Sequence, residues 1–328
     1  MTSGDRKLPL DWEILLPAGP ALTQHAGCIL NNKFYIHGGI TKHRSKIPCD
    51  KLYCLDLSTL IWNEVRVDGA PALSHHACVT LENRYMVLIG GWNGHGRVSK
   101  IFVFDTFDNV WIFPKDSGFA EGAGLSSHTA MVLNNGDILV VGREGCLRTV
   151  EKHGNAYILR GSVQKGEFVY TKIFDDIVSR SGHTMNAIGK SVYIIGGRND
   201  DFIEQHPGFS SCSQSEKSNY EFINALRHYK LVPLVRYPSG RRHHVTIGGK
   251  GCLLIHGGET FDGKSRHSVN DMYLMITKPE VTFFNLGTSS VSRSGHVCVC
   301  NGDRTIFHGG VAWRNVVYGD CYELKIQQ

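Results

Sequence analysis

Six copies of one spacing pattern constrain the fold of this chain more than any other feature. In each copy a histidine is followed, 13 or 14 residues later, by a glycine that usually begins a Gly-Gly pair. The histidines are His25, His76, His128, His183, His244 and His296, and the glycines are Gly38-Gly39, Gly90-Gly91, Gly142, Gly196-Gly197, Gly257-Gly258 and Gly309-Gly310. The first glycines lie 52, 52, 54, 61 and 52 residues apart. A period near 50, filled with short β-rich runs, predicts the blades of a β-propeller.

Each repeat has the pattern of a four-stranded blade, because apolar runs of four to six residues alternate with Asn, Gly and Asp turns. We therefore predict an all-β, six-bladed propeller that occupies residues 1–328 as one domain. The approximate blade boundaries are 21–67, 72–115, 124–174, 179–238, 241–287, and 292–328 together with 10–16.

Two segments depart from the simple repeat. The sixth repeat ends after its third strand, and Asp11-Trp12-Glu13-Ile14 resembles the fourth strand of the first repeat, Ile61–Val65. We predict that the N-terminal strand completes the last blade and closes the ring. In blade four, Phe222, Ile223, Leu226 and Tyr229 follow Ser218 at helical spacing, which predicts a short helical insert.

Composition narrows the classes of function. The net charge is +5, but no run of five or six Lys and Arg occurs, so a nucleic-acid partner is not expected. The apolar runs are strand-sized, and no membrane segment is expected. The ten cysteines form no CxxC pair and the N-terminus has no signal-peptide pattern. We expect a monomer in a reducing compartment, the cytoplasm, with the nucleus left open.

The repeated residues have a structural interpretation. Glycine suits a crowded strand end near the propeller axis, where a Cβ does not fit and φ is positive. The repeated histidines are expected to bond backbone groups of a neighbouring blade. Because no HxH, HxxxH or CxxC spacing and no Gly-x-Ser-x-Gly motif occurs, we expect no metal, no cofactor and no catalytic residue. A copper oxidase or an isomerase that uses the channel remains an alternative.

Arginine and tryptophan near the glycine pairs suggest a binding site at one mouth of the channel. The predicted partner-binding residues are Arg143, Arg198, Arg242, Trp92 and Trp313. Guanidinium groups beside tryptophan suit an acidic segment or a free carboxylate. Arg180, Arg242 and Arg293 all come shortly before repeated histidines, and a structural role is favoured for Arg180 and Arg293. For Arg143 and Arg198, the structural and the binding interpretations both stay open.

These features resemble the kelch superfamily. The resemblance rests on the Gly-Gly after an apolar strand, on Asn270-Asp271 and Gly319-Asp320, and on a tryptophan nine residues after an aromatic, as in Tyr53 to Trp62 and Phe102 to Trp111. It rests also on Arg-Ser-Gly-His at 180–183 and 293–296. Within the superfamily, several local strings are similar to a small stand-alone kelch protein, among them Gly124–Thr129, Gly142–Gly145 and Gly257–Thr260.

The resemblance implies a non-catalytic protein–protein interaction module that binds its partner through loops at one face, with an A-type cyclin among the candidate partners. The alternative is a substrate receptor of a cullin-type ubiquitin ligase that reads acidic or C-terminal tails. Gly196-Gly-Arg198 resembles the arginine-bearing loop of kelch receptors of that kind, whereas Arg242 stands where those receptors use a serine. The chain ends at Gln328 without the helical box by which such receptors recruit a cullin.

Overall fold

The structure is a computed structural model that describes most of the chain. The described residues are 10–142, 153–178, 180–189, 191–198, 208–210, 234, 238–302 and 304–326. Nearly all regular structure in them is β-strand, and the single helical element is a 3-10 turn, Trp313–Asn315. Among these residues, no helix is both long enough and apolar enough to cross a bilayer.

The first repeat shows how the sequence forms a blade. Its strands are β2 (Ala26–Leu30), β3 (Lys33–His37), β4 (Leu52–Asp56) and β5 (Ile61–Val65), and each pairs antiparallel with the next. The first strand alternates between more and less buried side chains, whereas Phe34, Tyr35, Ile36 and His37 of the second strand are all buried. A strand with neighbours on both edges and both faces needs such a continuous apolar run.

The other repeats supply the remaining sheets. The second contains β6 (Ala77–Leu81), β7 (Tyr85–Trp92), β8 (Arg97–Asp105) and β9 (Val110–Ile112). The third contains β10 (Lys115–Ser117), β11 (Thr129–Val132), β12 (Ile138–Gly142), β13 (His153–Ser162) and β14 (Glu167–Val178). The fourth contains β15 (Ser181–Ile188), β16 (Ser191–Arg198) and β17 (Gly208–Ser210).

The fifth repeat contains β18 (Val245–Gly249), β19 (Cys252–His256), β22 (Asp271–Ile276) and β23 (Thr282–Thr288), with a hairpin of β20 (Glu259–Phe261) and β21 (Arg266–Ser268) inserted between β19 and β22. The sixth contains β24 (Val297–Asn301), β25 (Arg304–His308) and β26 (Cys321–Ile326), which are joined by β1 (Leu10–Leu16).

The first strands of the six repeats form a closed circle. In it β2 contacts β6, and the contacts continue through β11, β15, β18 and β24 back to β2. Apolar clusters fill the spaces between neighbouring sheets: Leu30 packs with Leu88 between the first two repeats, and Phe34 packs with Ile306 between the first and the sixth. The fold is therefore an all-β propeller whose core consists of the layers between sheets.

The prediction of six full blades is wrong, because the described residues form five complete blades of four or five strands. The fourth repeat provides a three-stranded sheet, in which the third strand has only three residues, Gly208–Ser210. The physical reason lies in the sequence after Gly197, where the polar Arg198–Asp201 replaces an apolar third strand. The described part of this repeat contains no helix, and the predicted insert at 218–229 lies outside the described residues.

The predicted closure by the N-terminal strand is confirmed. β1 pairs antiparallel with β26, and Trp12 stands opposite Leu324. The Trp12 side chain is 2% exposed, and its ring centroid lies 4.7 Å from that of Phe307 and 5.2 Å from that of His256. One side chain of the N-terminal strand thus fills the layer between the last two sheets.

Candidate functional site

Each glycine pair lies where a second strand passes against the next repeat. Gly38 and Gly39 have φ values of 70° and 82°, and a Cβ on Gly38 would collide with the carbonyl oxygen of Leu73. A Cβ on Gly39 would lie 2.7 Å from the Cβ of His25. The N–H of Gly39 donates to the Leu73 carbonyl at 2.8 Å, which ties the first repeat to the second. The same bond recurs as Gly91 to Leu125, Gly197 to Arg241, Gly258 to Arg293 and Gly310 to Leu22.

A closed ring of backbone hydrogen bonds surrounds the axis at this end of the propeller. We call it the neck ring, and its members are the residues just before the repeated histidines: Gln24, His75, Ser127, Gly182, His243 and Gly295. The N–H of each donates to the carbonyl of the member in the preceding repeat, at 2.7 to 2.9 Å. All six have φ between 53° and 73°, which turns the chain from the linker into the first strand. With the repeated histidines, the ring lines a channel cavity of about 130 Å³.

The repeated histidines bond to the preceding repeat, but mainly through side chains. Nε2 of His25 lies 3.0 Å from Nδ1 of His308, and Nε2 of His76 lies 3.2 Å from Nδ1 of His37. Nε2 of His183 and of His244 lies 2.8 and 3.1 Å from the hydroxyls of Thr129 and Thr184, respectively. These contacts join neighbouring blades through side chains, and His183 has the expected backbone partner as well, since it also bonds the backbone of Val141 in the third repeat.

Burial keeps the channel histidines uncharged. It lowers the pKa of His183 to about 3, with a smaller contribution from Arg180, and it lowers the pKa of His128 to about 4. Burial also holds the pKa of His25, His76, His244 and His296 well below the usual value. The channel wall is thus neutral at physiological pH. Within the described part of the chain, no three His, Cys, Asp or Glu side chains are placed to share a metal ion.

Positive charge converges just outside the neck ring. The rings of His75 and His243 are 6.1 Å apart across the axis. Burial lowers the pKa of His75 to about 4, with further lowering by Arg242 and Arg97. Burial also lowers the pKa of His243, together with the charges of Arg242 and Arg198. Three arginines from three repeats therefore lower the pKa of two imidazoles that are neutral. We call these five residues, together with the adjacent Glu259, the mouth cluster; its members are Arg97, Arg198, Arg242, His75, His243 and Glu259.

The structure brings together two of the five predicted partner-binding residues, Arg198 and Arg242. Trp92 lies nearby, opposite Arg97 in the pairing of β7 and β8, and its indole N–H donates to the Lys46 carbonyl at 2.9 Å. Trp92 thereby anchors the loop at 40–51 of the first repeat. Trp313 begins the 3-10 turn of the sixth repeat on the same face. Arg143 lies outside the described residues.

The structure corrects the grouping of Arg242 with Arg180 and Arg293. The true counterpart of Arg180 and Arg293 is Arg241, three residues before its histidine, and all three serve the neighbouring backbone or carboxylates. Nη1 of Arg180 donates to the Gly196 carbonyl, Nη1 of Arg241 to the Gly257 carbonyl, each at 2.9 Å, and Nη2 of Arg293 to Asp320 at 2.5 Å. Arg242 stands one position further along, where its side chain joins the mouth cluster.

Sequence reasoning missed His75, His243, Arg97 and Glu259. His75 and His243 carried a usable signal, because each directly precedes a repeated histidine and so must lie in the neck ring. Arg97 begins a third strand and Glu259 follows a glycine pair, and neither position attracts notice until the strands are paired.

The comparisons with known proteins agree with this architecture. Residues 10–197 match the family described as the KLHDC2/KLHL20/DRC7 Kelch-repeats domain. The chain is 27% identical to mouse Kelch domain-containing protein 9 over 302 residues, which cover 87% of this chain and 86% of that protein. It is 22% identical to human Kelch domain-containing protein 3 over 327 residues, which cover 92% and 81% of the two chains.

Two further similarities are to a solved structure and to part of an enzyme. The solved structure of YjhT superposes with a TM-score of 0.68 at 14% identity, over 93% of this chain and 95% of that one, which shows the shared fold. N-acetylneuraminate epimerase of Salmonella typhi is 24% identical over 174 residues, 42% of this chain. Since the family match spans more than half of the chain, this protein belongs to the kelch-repeat family of β-propellers.

Proposed function

We propose that this chain is a non-catalytic adaptor that binds a protein partner through the face on which the glycine pairs lie, here called the Gly-Gly face. The observation that carries the proposal is the convergence of Arg97, Arg198 and Arg242 at the mouth of a channel whose own wall is neutral. Kelch-repeat propellers are typically protein-interaction modules, and a cationic concave surface supplies the specificity that such a module needs.

The charges of the two faces support this choice of face. The described loops that follow the glycine pairs, 40–51, 93–96, 259–270 and 311–320, contain seven Lys or Arg and four Asp or Glu. The described turns at the opposite face contain four of each kind. Arg97, Arg198 and Arg242 add further positive charge to the Gly-Gly face. Long-range attraction therefore steers an acidic partner to this face.

Exposed apolar side chains on the same loops complete the surface. Ile47 is 80% exposed, Phe261 49% and Val316 47%, and they come from the first, fifth and sixth repeats. Apolar anchors beside guanidinium groups are typical of interface centres. The partner that fits is an acidic segment, or a chain end with a free carboxylate, that also carries apolar side chains. The similarity to Kelch domain-containing protein 9 adds an A-type cyclin as the first partner to test.

Reversal of one charge at the mouth tests the proposal. Arg198→Glu should weaken binding of a purified A-type cyclin or a glutamate-rich peptide by at least about tenfold, since a charge-assisted bond contributes roughly 1.5–3 kcal/mol. Binding would be measured by titration calorimetry, and the melting temperature should stay within about 2 °C. Lys250→Glu, an equal charge change at an exposed turn of the opposite face, is the matched control. Unaltered binding by a folded Arg198→Glu protein would exclude the mouth as the site.

The alternative is a substrate receptor of a cullin-type ubiquitin ligase that reads acidic or C-terminal tails. It is favoured by one observation: the charges of Arg198 and Arg242, which come from neighbouring repeats, both lower the pKa of His243, so a carboxylate at this end of the channel would be attracted by both. Affinity purification from cells followed by mass spectrometry separates the two functions, because elongin and cullin subunits should co-purify only with a ligase receptor. The same experiment, done on separated cytoplasmic and nuclear fractions, tests the expected location.

A further inference from the structure

The fifth repeat has an ion pair where the other described repeats have none. Nε of Arg242 donates to Oε1 of Glu259 at 2.5 Å, and Nη2 of Arg242 contacts the same oxygen. The two side chains are 19% and 13% exposed, so the pair is shielded but reachable from the mouth. Equivalent positions hold Thr23 with Ile40, Ser74 with Trp92, Ser181 with Arg198 and Ser294 with Val311.

The fold does not require this ion pair. Arg242 and Glu259 are already joined through their backbones, since each N–H donates to the carbonyl of the other at 3.1 and 2.9 Å. The same reciprocal backbone bonds join Ser74 to Trp92 and Ser294 to Val311, where no side-chain ion pair exists. The repeat architecture is therefore complete without the carboxylate of Glu259, and its side chain is left to serve the mouth.

Glu259 is the acid of an otherwise basic cluster. The charges of Arg242, Arg198 and Arg97 lower the pKa of His75 or His243, the two histidines of the neck ring. The loop at 40–51 brings His43 close enough for its pKa to respond to both Glu259 and Arg242. Burial, followed by the charge of Arg44, lowers the pKa of His43, so this histidine adds little positive charge. The carboxylate of Glu259 thus occupies the place that a partner's carboxylate would take against Arg242.

We infer that Glu259 is an internal stand-in for the partner's carboxylate. It holds the Arg242 guanidinium in its bound orientation while the site is empty, and an incoming carboxylate displaces it. The exchange replaces the contact of Arg242 with Glu259 by a contact of Arg242 with the partner. The affinity therefore depends on the difference in free energy between these two charge-assisted contacts. Weak or singly charged ligands are rejected, and segments that engage Arg198 as well as Arg242 are selected. This inference rests on the proposed function of the Gly-Gly face.

A double-mutant cycle on Glu259 and Arg242 tests the inference. The probe is a fluorescein-labelled peptide of eight glutamates, and the readout is fluorescence anisotropy at about 50 mM salt, where charge interactions are weakly screened. Glu259→Gln should bind the peptide about five- to tenfold more tightly than the unchanged protein. In the Arg242→Gln background, Glu259→Gln should change affinity by less than about twofold. Glu323→Gln, which removes the partner of Arg304 in another Arg–Glu pair, controls for net charge.

The outcomes separate the inference from the proposed function. Tighter binding that depends on Arg242 supports the stand-in. If the unchanged protein binds the peptide but Glu259→Gln binds equally or less tightly, the stand-in is refuted and the binding face stands. An equal gain from Glu323→Gln refutes it as well, because the effect is then one of net charge. If none of the proteins binds, the basic mouth is not a site for acidic segments, and both ideas fail. Melting temperatures, expected to agree within about 2 °C, show that the variants are folded.

Discussion

Mild acid should destabilise this propeller, because its axis is built from buried neutral histidines. Burial lowers the pKa of His37, His183 and His308 to about 3, and that of His75, His128 and His256 to about 4. In the unfolded chain these side chains titrate near pH 6.5. Below that pH the unfolded state binds more protons than the folded state, so the free energy of unfolding falls as the pH is lowered.

The size of the effect follows from the ordinary pKa alone. Between pH 7.0 and 5.5, each histidine that stays neutral in the folded state lowers the free energy of unfolding by about 1.3 kcal/mol. These six residues together give roughly 8 kcal/mol, against a typical total of about 5–15 kcal/mol. For a chain of this length, the corresponding fall in melting temperature is about 10 °C. Carboxylates contribute little to this change, since they titrate at lower pH.

Urea unfolding followed by tryptophan fluorescence at pH 7.0 and 5.5 measures the change. His37→Gln should reduce the acid-induced loss by about 1.3 kcal/mol, because one proton-binding group of the unfolded state is removed. His267→Gln, which removes a half-exposed imidazole of the fifth repeat, is the control for the loss of a histidine that is not buried. A difference of less than about 1 kcal/mol between the two pH values for the unchanged protein would refute the burial of these rings in the neutral form.

Two further predictions concern closure of the ring and the glycine pairs. Trp12→Ala should lower the free energy of unfolding by about 3–5 kcal/mol in urea titrations, because it empties a buried site between the last two sheets, whereas Ile14→Ala, at a position 57% exposed on the same strand, should cost less than about 1 kcal/mol. Equal effects of the two substitutions would show that burial of Trp12 in β1 does not stabilise closure of the ring. Gly39→Ala should lower the melting temperature much more than Gly122→Ala, since both glycines have positive φ but only at Gly39 would the new Cβ meet another atom within 4 Å. A similar cost at both positions would mean that backbone strain, and not crowding, explains why the glycine pair recurs in the repeats of this chain.

The sequence allowed closure of the ring to be predicted, because the pattern around Trp12 matches that of a fourth strand elsewhere in the chain. The number of full blades was not predictable in the same way. The fourth repeat has its histidine and glycine pair, which are set by contacts at the axis, while its third strand, Gly208–Ser210, follows a polar segment that carries no alternation. The β20–β21 hairpin was missed for a related reason, since Glu259–Ser268 is largely polar and its two strands form a separate two-stranded sheet.

The mouth cluster was only partly predictable. Arg198 and Arg242 stood out because they are unusual residues at repeated positions. Arg97 did not, because it lies in β8, six residues after its glycine pair, and comes close to the axis only through pairing with Trp92. The contact of Arg242 with Glu259 joins residues 17 positions apart whose proximity depends on the ladder at the glycine pair.

The neck ring has a consequence for how this chain tolerates damage. Its six hydrogen bonds all run in the same rotational sense and close into a circle. A linear array of repeats can lose an end unit and keep the rest, but a circle has no end to lose. Deletion of any one repeat interrupts the neck ring. Proteolysis should therefore yield either the intact protein or small fragments, with few stable intermediates.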